Sequence, residues 1–394
     1  MAKTKKELGL DSMGVQKSMR MTDYLGDGLG QMPLNIMSGL VGQLTYFYTE
    51  KVGLAAGMVA TMLLVAKIID AFSDLLMGKI VDAGKSPKGK CRPWFIRMAI
   101  PVFVMIVLLF TVPKNAGSGV QAAYVLITNI LITAVVYTAV AIPYGALMAM
   151  RTESSEERGK MGIFRAAFGY LAGMIIAILL IPITNMLGGT QSAWIKVAVI
   201  FGLISVLSLL LLYKVSKENV QIVEKSEDED VQFAEGLKIL FKNKYWVIML
   251  ILQFLMNISY GLSTSGGTYY AKYILGNDNI IALLGAVGLI PTFLGFILTG
   301  PMTSKLGMTN SANSFGGKIG SGIGASLIGW LLAAAGYKAA LEVQPASVDT
   351  AIFVFGIYIP LALFVIMFIL LKKYDLEKRY PEIVAELQKR KETE

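Results

Sequence analysis

Apolar runs of about 20 residues recur along the chain, each long enough at 1.5 Å per residue to cross a hydrocarbon core of about 30 Å. Ten are distinguishable, at 24–48, 54–82, 94–112, 119–149, 161–186, 194–214, 246–274, 280–303, 315–337 and 351–373. The pattern predicts an all-α polytopic membrane protein, because in lipid every backbone polar group must be satisfied within the spanning segment. The longest polar interruption, 215–243, contains the acidic run Glu224 to Asp230 and reads as a solvated linker between six spans and four. The predicted organisation is therefore an N-terminal tail (1–20), a six-helix bundle (21–214), a linker (215–243), a four-helix group (244–375) and a C-terminal tail (376–394). Within that last tail, Tyr380 to Arg390 has the spacing of a short helix.

The polar positions that interrupt the apolar runs carry the candidate chemistry. Asp70 and Asp74 lie inside the second run, which ends near Asp82 and passes into a basic loop containing Lys85, Lys88 and Arg92. A carboxylate near the centre of a membrane helix costs roughly 2.5 to 3.5 kcal/mol on insertion scales, so two need a physical reason. Spacing i, i+4 puts both on one helix face, where their oxygens can converge on a cation or proton. The competing reading is a structural pairing of these acids with Lys67 or Lys318. Arg165 and Lys318 are isolated cations in apolar spans, and for Arg165 a snorkelling side chain near a helix end is the simple alternative. Gly316, Gly320 and Gly324 recur every four residues, as on a face where helices pack closely.

Composition narrows the class further. The chain has 394 residues, 55% hydrophobic and 16% charged, with a net charge of +9. That excludes a soluble enzyme, and in a membrane chain the positive charge sits in loops on one side, so no nucleic-acid partner is implied. One cysteine, Cys91, rules out an internal disulfide framework, and the absence of histidine leaves proton chemistry to carboxylates. Met1 to Arg20 lacks an apolar signal core. Basic residues alternate between loops, with clusters before the first span, at 85–92 and at 151–160, which places both termini in the cytoplasm by the positive-inside rule.

The stretch from Leu64 through Asp70, Ser73 and Asp74 to Gly78, followed by Lys90-Cys-Arg-Pro-Trp94, resembles the second-helix signature of the glycoside–pentoside–hexuronide:cation symporters. These are the melibiose-permease-like branch of the major facilitator superfamily. Tyr46-Phe-Tyr-Thr-Glu50, Ile142-Pro-Tyr-Gly-Ala-Leu147, the Thr152 to Arg158 loop, Arg165, Lys318 and Tyr380-Pro-Glu-Ile383 follow in the family's order. The resemblance implies two helical bundles with substrate and cation bound between them near the midplane. It departs from the pattern at Lys305 to Lys318, where the hairpin of the family's helices nine and ten is missing, giving about ten spans, six plus four, instead of twelve. It departs also at the first helix, where Pro33 and Leu34, or Gln31 and Met32, stand in place of a charged pair, and at Ala141 and Gly145.

Carried over residue by residue, the resemblance implies a cation site of Asp70, Ser73, Asp74 and Thr138, with Asp70 and Asp74 as the metal ligands if sodium is the ion. It implies substrate-binding or coupling roles for Arg165, Lys318 and Asp27, and a gating loop of Asp82, Lys85, Lys88 and Arg92. The expected function is Na⁺- or H⁺-coupled symport of a sugar, glycoside or hexuronide by alternating access, in a monomer of the bacterial inner membrane with no cofactor beyond the coupling ion. Two other readings are weighed against it. A shortened, transport-deficient protein with a binding or sensing role follows from the missing hairpin. An intramembrane prenyltransferase would need a second Asp-rich cluster, which the later spans do not offer.

Overall fold

The computed structural model describes residues 8–11, 14–82, 84, 86, 89–219, 241–287, 323–341 and 343–374. Helix α1 occupies 21–52 as four consecutive pieces, Met21–Leu29, Gln31–Gly42, Leu44–Tyr46 and a π-helical end, Phe47–Val52, closed by Gly53 at φ 87°. It is followed by α2 (Ala56–Asp82), α3 (Arg92–Phe110), α4 (Ser118–Arg151), α5 (Ser155–Met186) and α6 (Gln191–Val215). Beyond residue 240 come α7 (Lys244–Ile274), α8, which begins at 280 and is described as far as 287, α9 (Ile323–Ala334) and α10 (Ala346–Lys372). Among the described residues the one β pairing is an isolated bridge between Leu10 and Gln16.

Several helices begin earlier than hydropathy predicts, because their first turns are polar. Helix α5 starts at Ser155 rather than 161, since Ser154 caps it by accepting from the Glu157 amide at 3.3 Å. Asn243 caps α7 in the same way, accepting from Tyr245 and Trp246. The 34 residues of α4 would span about 50 Å, well beyond the hydrocarbon core, so α4 tilts or protrudes. Among the described residues, six of these helices are long and apolar enough to cross a membrane, and α1 is broken into shorter pieces.

Helix α2 is amphipathic in the inverted sense. Asp70 is buried at 1% exposure, whereas Phe72 and Leu76 on the outer face are 61% and 65% exposed. Polar groups face protein and apolar groups face outward, as a lipid environment requires. The first six helices share a core in which Phe47, Phe110 and Trp194 meet with ring centroids 4.9–5.5 Å apart. Close helix packing at Gly324 has a direct cause, because a Cβ there would collide with the Ile258 carbonyl. The other two glycines of that pattern, the junction 305–318 with Lys318, the acidic run and the tail helix lie outside the described residues.

Candidate functional site

Asp70 and Asp74 converge on Thr138, brought in by α4. The seven residues before it, Leu131–Tyr137, form a π-helical stretch, and the Thr138 hydroxyl lies 3.1 Å from the Thr133 carbonyl five residues back. The same hydroxyl is 3.0 Å from Asp74 Oδ1 and 3.4 Å from Asp70 Oδ1, with Ser73 Oγ at 3.5 Å. Ser73 donates to the Asp70 carbonyl at 2.8 Å. The other oxygen of Asp70 faces Lys67, whose ammonium is 3.3 Å away. Thus the structural pairing and the converging-oxygen reading coexist, one on each oxygen of Asp70. Lys67, Asp70 and Asp74 together carry one formal negative charge, and the donors around Thr138 are all oxygen, a set suited to a hard monovalent cation.

The cluster opens onto a cavity of about 890 Å³ between α1, α2, α4 and α5 on one side and α7 on the other. Gln31 and Ser38 of α1, Tyr137 and Tyr144 of α4, and Asn257 and Tyr260 of α7 supply its polar wall beside the carboxylates and Arg165. Such a size accommodates a small organic ligand.

Arg165 does not snorkel. Its Nε is 2.6 Å from Asp27 Oδ2, its Nη2 is 3.1 Å from Asp27 Oδ1, and its guanidinium lies 3.8 Å from the centre of the Tyr144 ring. Asp27 is fully buried and also receives Arg151 Nη1 at 3.2 Å, while its carbonyl accepts from the Tyr144 hydroxyl at 2.7 Å. Arg151 in turn reaches Asp23 at 3.6 Å. Arg151 enters the sequence reading only as a loop charge; its inward direction has no sequence signal.

A second set of polar contacts joins the two sides of the cavity at the end where α1 turns into α2. The Glu50 side chain, 2% exposed, accepts from Lys272, Tyr273 and Tyr337. Tyr46 donates to Asp278 at 2.8 Å, and Thr49 meets the Tyr269 hydroxyl. At the opposite end, Glu218 beyond α6 accepts from the amides of Lys90, Cys91 and Arg92 at 2.8–2.9 Å and so caps α3. Gly89, at φ 103°, permits this, since a Cβ there would strike that carboxylate. Arg92 donates from Nε to the Tyr213 carbonyl at 2.8 Å and stacks on its ring. Asp82 is the last residue of α2, and Lys85 and Lys88 lie outside the described residues.

The profile of the family described as MFS/sugar transport protein matches residues 26–312 and 304–378. The chain belongs to this family. Its membership makes it a multi-pass membrane protein of the transporter class, and the prenyltransferase reading falls with it. An isoprimeverose transporter of Lactiplantibacillus pentosus is 28% identical over 437 residues, covering 92% of this chain and 90% of that protein. YagG of Escherichia coli (strain K12), a candidate glycoside/cation symporter by name, is 27% identical over 440 residues, covering 93% and 94%. The fold is shared with a bacterial homologue of human drug peptide transporters (TM-score 0.62, 13% identity, covering 91% of this chain and 99% of that one). It is shared also with the nucleoside transporter NupG (TM-score 0.57, 10% identity, covering 89% of this chain and 99% of that one).

Proposed function

We propose that the protein is a cation-coupled symporter of a sugar or glycoside, working by alternating access in the bacterial inner membrane as a monomer with both termini cytoplasmic. The observation that carries this reading is the convergence of Asp70, Asp74, Ser73 and Thr138 beside a ligand-sized cavity that the two carboxylates line. A cation among these oxygens offsets the repulsion of two carboxylates, and the substrate occupies the adjoining space. Names of relatives support the substrate class: an isoprimeverose transporter and a glycoside/cation symporter. In this orientation the Glu50 and Asp278 contacts close the external end, and the cavity is reached from the cytoplasm. Asp27, Arg165 and Lys318 serve coupling between substrate and helices, and Asp82, Lys85, Lys88 and Arg92 belong to the cytoplasmic gating loop.

The domain organisation is part of the same proposal: six helices, a linker at 215–243, and a four-helix group from 244 to 375. Aligned spans of 437 and 440 residues exceed the 394 residues of the chain, so these relatives carry an insertion relative to it. That supports loss of a hairpin, and it favours a second reading in which the shortened protein binds cation and sugar without moving them. The experiment that separates them uses the purified protein in two formats. Sodium-dependent thermal stabilisation, present in the wild type and lost in Asp70→Asn and Asp74→Asn, establishes the ion site. Sodium-driven uptake of isoprimeverose and other labelled glycosides into vesicles then decides for transport; stabilisation without uptake decides for the binding protein.

A further inference from the structure

Alternating access imposes a condition on where the sugar is held. A ligand shifts a conformational equilibrium only by its differential affinity for the two states, so a substrate bound by one side of the cavity alone drives no movement. Among the described residues, the side formed by α7 contributes two residues to the cavity wall, Asn257 and Tyr260. Both lie near the middle of Lys244–Ile274, at the depth of Asp70 in α2.

Their free chemistry is specific. The Asn257 Nδ2 group donates to the Gln253 carbonyl at 2.8 Å, which fixes the amide and leaves its Oδ1 without a hydrogen-bond partner among the described residues. Tyr260 also has no hydrogen bond from its hydroxyl among the described residues, and it is 54% exposed although it lines both the large cavity and a smaller one beside it. Opposite stand two cations, each already engaged: Lys67 with Asp70, and Arg165 with both oxygens of Asp27. An acceptor amide, an accessible aromatic face and neutralised cations match an uncharged polyol better than an acid. The apolar C–H face of a sugar packs on an aromatic ring while its hydroxyls donate to fixed acceptors.

We propose that Asn257 and Tyr260 are the contacts of the α7 side to the sugar, Tyr260 stacking on the ring face of a neutral glycoside and Asn257 Oδ1 accepting from one of its hydroxyls. This assignment rests on the symporter reading above. Equilibrium binding of isoprimeverose and of a methyl glucuronide to the full chain in nanodiscs tests it, with sodium-dependent thermal stabilisation measured on the same samples. The wild type binds isoprimeverose more tightly than the glucuronide. Tyr260→Leu weakens isoprimeverose binding about tenfold, the scale of a lost desolvated aromatic contact, whereas Tyr260→Phe keeps the ring and stays within about threefold. Asn257→Ala weakens it roughly fivefold, the scale of one neutral hydrogen bond. Sodium stabilisation is retained in all three variants. Unchanged sugar binding in Tyr260→Leu and Asn257→Ala overturns the assignment while the symporter reading stands, and tighter binding of the glucuronide overturns the neutral-sugar part. Loss of sodium stabilisation together with sugar binding makes the two residues part of the frame and overturns the assignment. Absence of binding to both sugars by the wild type overturns it together with the sugar-transport reading.

Discussion

Arg165 grips Asp27 with two parallel contacts, 2.6 Å from Nε and 3.1 Å from Nη2, tying the start of α5 to the start of α1 inside the bundle. Both partners are buried, and Arg151 shares the same carboxylate. Removing one member of such a pair leaves charge without compensation, at a cost of about 3–5 kcal/mol. Asp27→Asn therefore lowers the thermal midpoint strongly, and adding Arg165→Gln recovers part of the loss. Melting of the purified single and double variants measures this; strictly additive losses would show that the two residues are not coupled.

The hydroxyl of Thr138 gives a narrower test of the ion site. Thr138→Val keeps the shape and removes the group lying 3.0 Å from Asp74 and 3.4 Å from Asp70. Sodium-dependent stabilisation falls in this variant by about 1 kcal/mol or more, and Thr138→Ser restores it. If valine matches the wild type at every sodium concentration, Thr138 is a packing residue and the ligand set shrinks to the carboxylates and Ser73.

Those two clusters differ in how far they can be read from sequence. Asp70 and Asp74 stand out because hydropathy makes a charge inside α2 conspicuous and their spacing sets them on one face; Thr138 comes from resemblance alone, since a hydroxyl in an apolar run is unremarkable. Arg151 and Glu50 lie at helix ends, where a charge normally meets water, and nothing local encodes that each turns inward to partners on other helices. Glu50 and Lys272 are 222 residues apart. Hydropathy likewise places the start of α5 six residues late, because its capped first turn is polar although helical.

At the cytoplasmic end of the proposed orientation, Glu157 fastens the chain before α1. Its carboxylate accepts from the Met19 amide at 2.8 Å, the Ser18 amide at 3.0 Å and the Thr152 hydroxyl. Both amides reach Oε1, whereas Oε2 accepts from the Thr152 and Ser18 hydroxyls. A carboxamide in its place carries no charge and has one acceptor oxygen instead of two, so Glu157→Gln weakens the two amide contacts and gives up an acceptor for the hydroxyls, at a cost of about 1–3 kcal/mol. Trypsin then cuts the folded variant at Lys17 and Arg20 several-fold faster than the wild type. Equal cleavage rates would mean that Lys17–Glu156 and Asp11–Ser154 hold the segment without it.

In the transport cycle and orientation proposed above, the Glu50 contacts set the balance between the two access states. One carboxylate on α1 collects Lys272 and Tyr273 from α7 and Tyr337 beyond α9, so opening the external end must break all three at once. Glu50→Gln removes the charge that Lys272 faces. A hydrogen bond to a charged group contributes about 2 kcal/mol, and losing that from one state shifts a two-state ratio by about 30-fold. Ser38 reports the shift, since it lines the cavity beneath the closed end. With a cysteine there (S38C), a membrane-impermeant maleimide added outside intact cells reacts slowly in the parent and many-fold faster with Glu50→Gln. Background from Cys91 stays low, because it is the single native cysteine and is buried against Met150. Unaltered labelling would show that Glu50 does not hold the external end closed and that the Tyr46–Asp278 contact suffices.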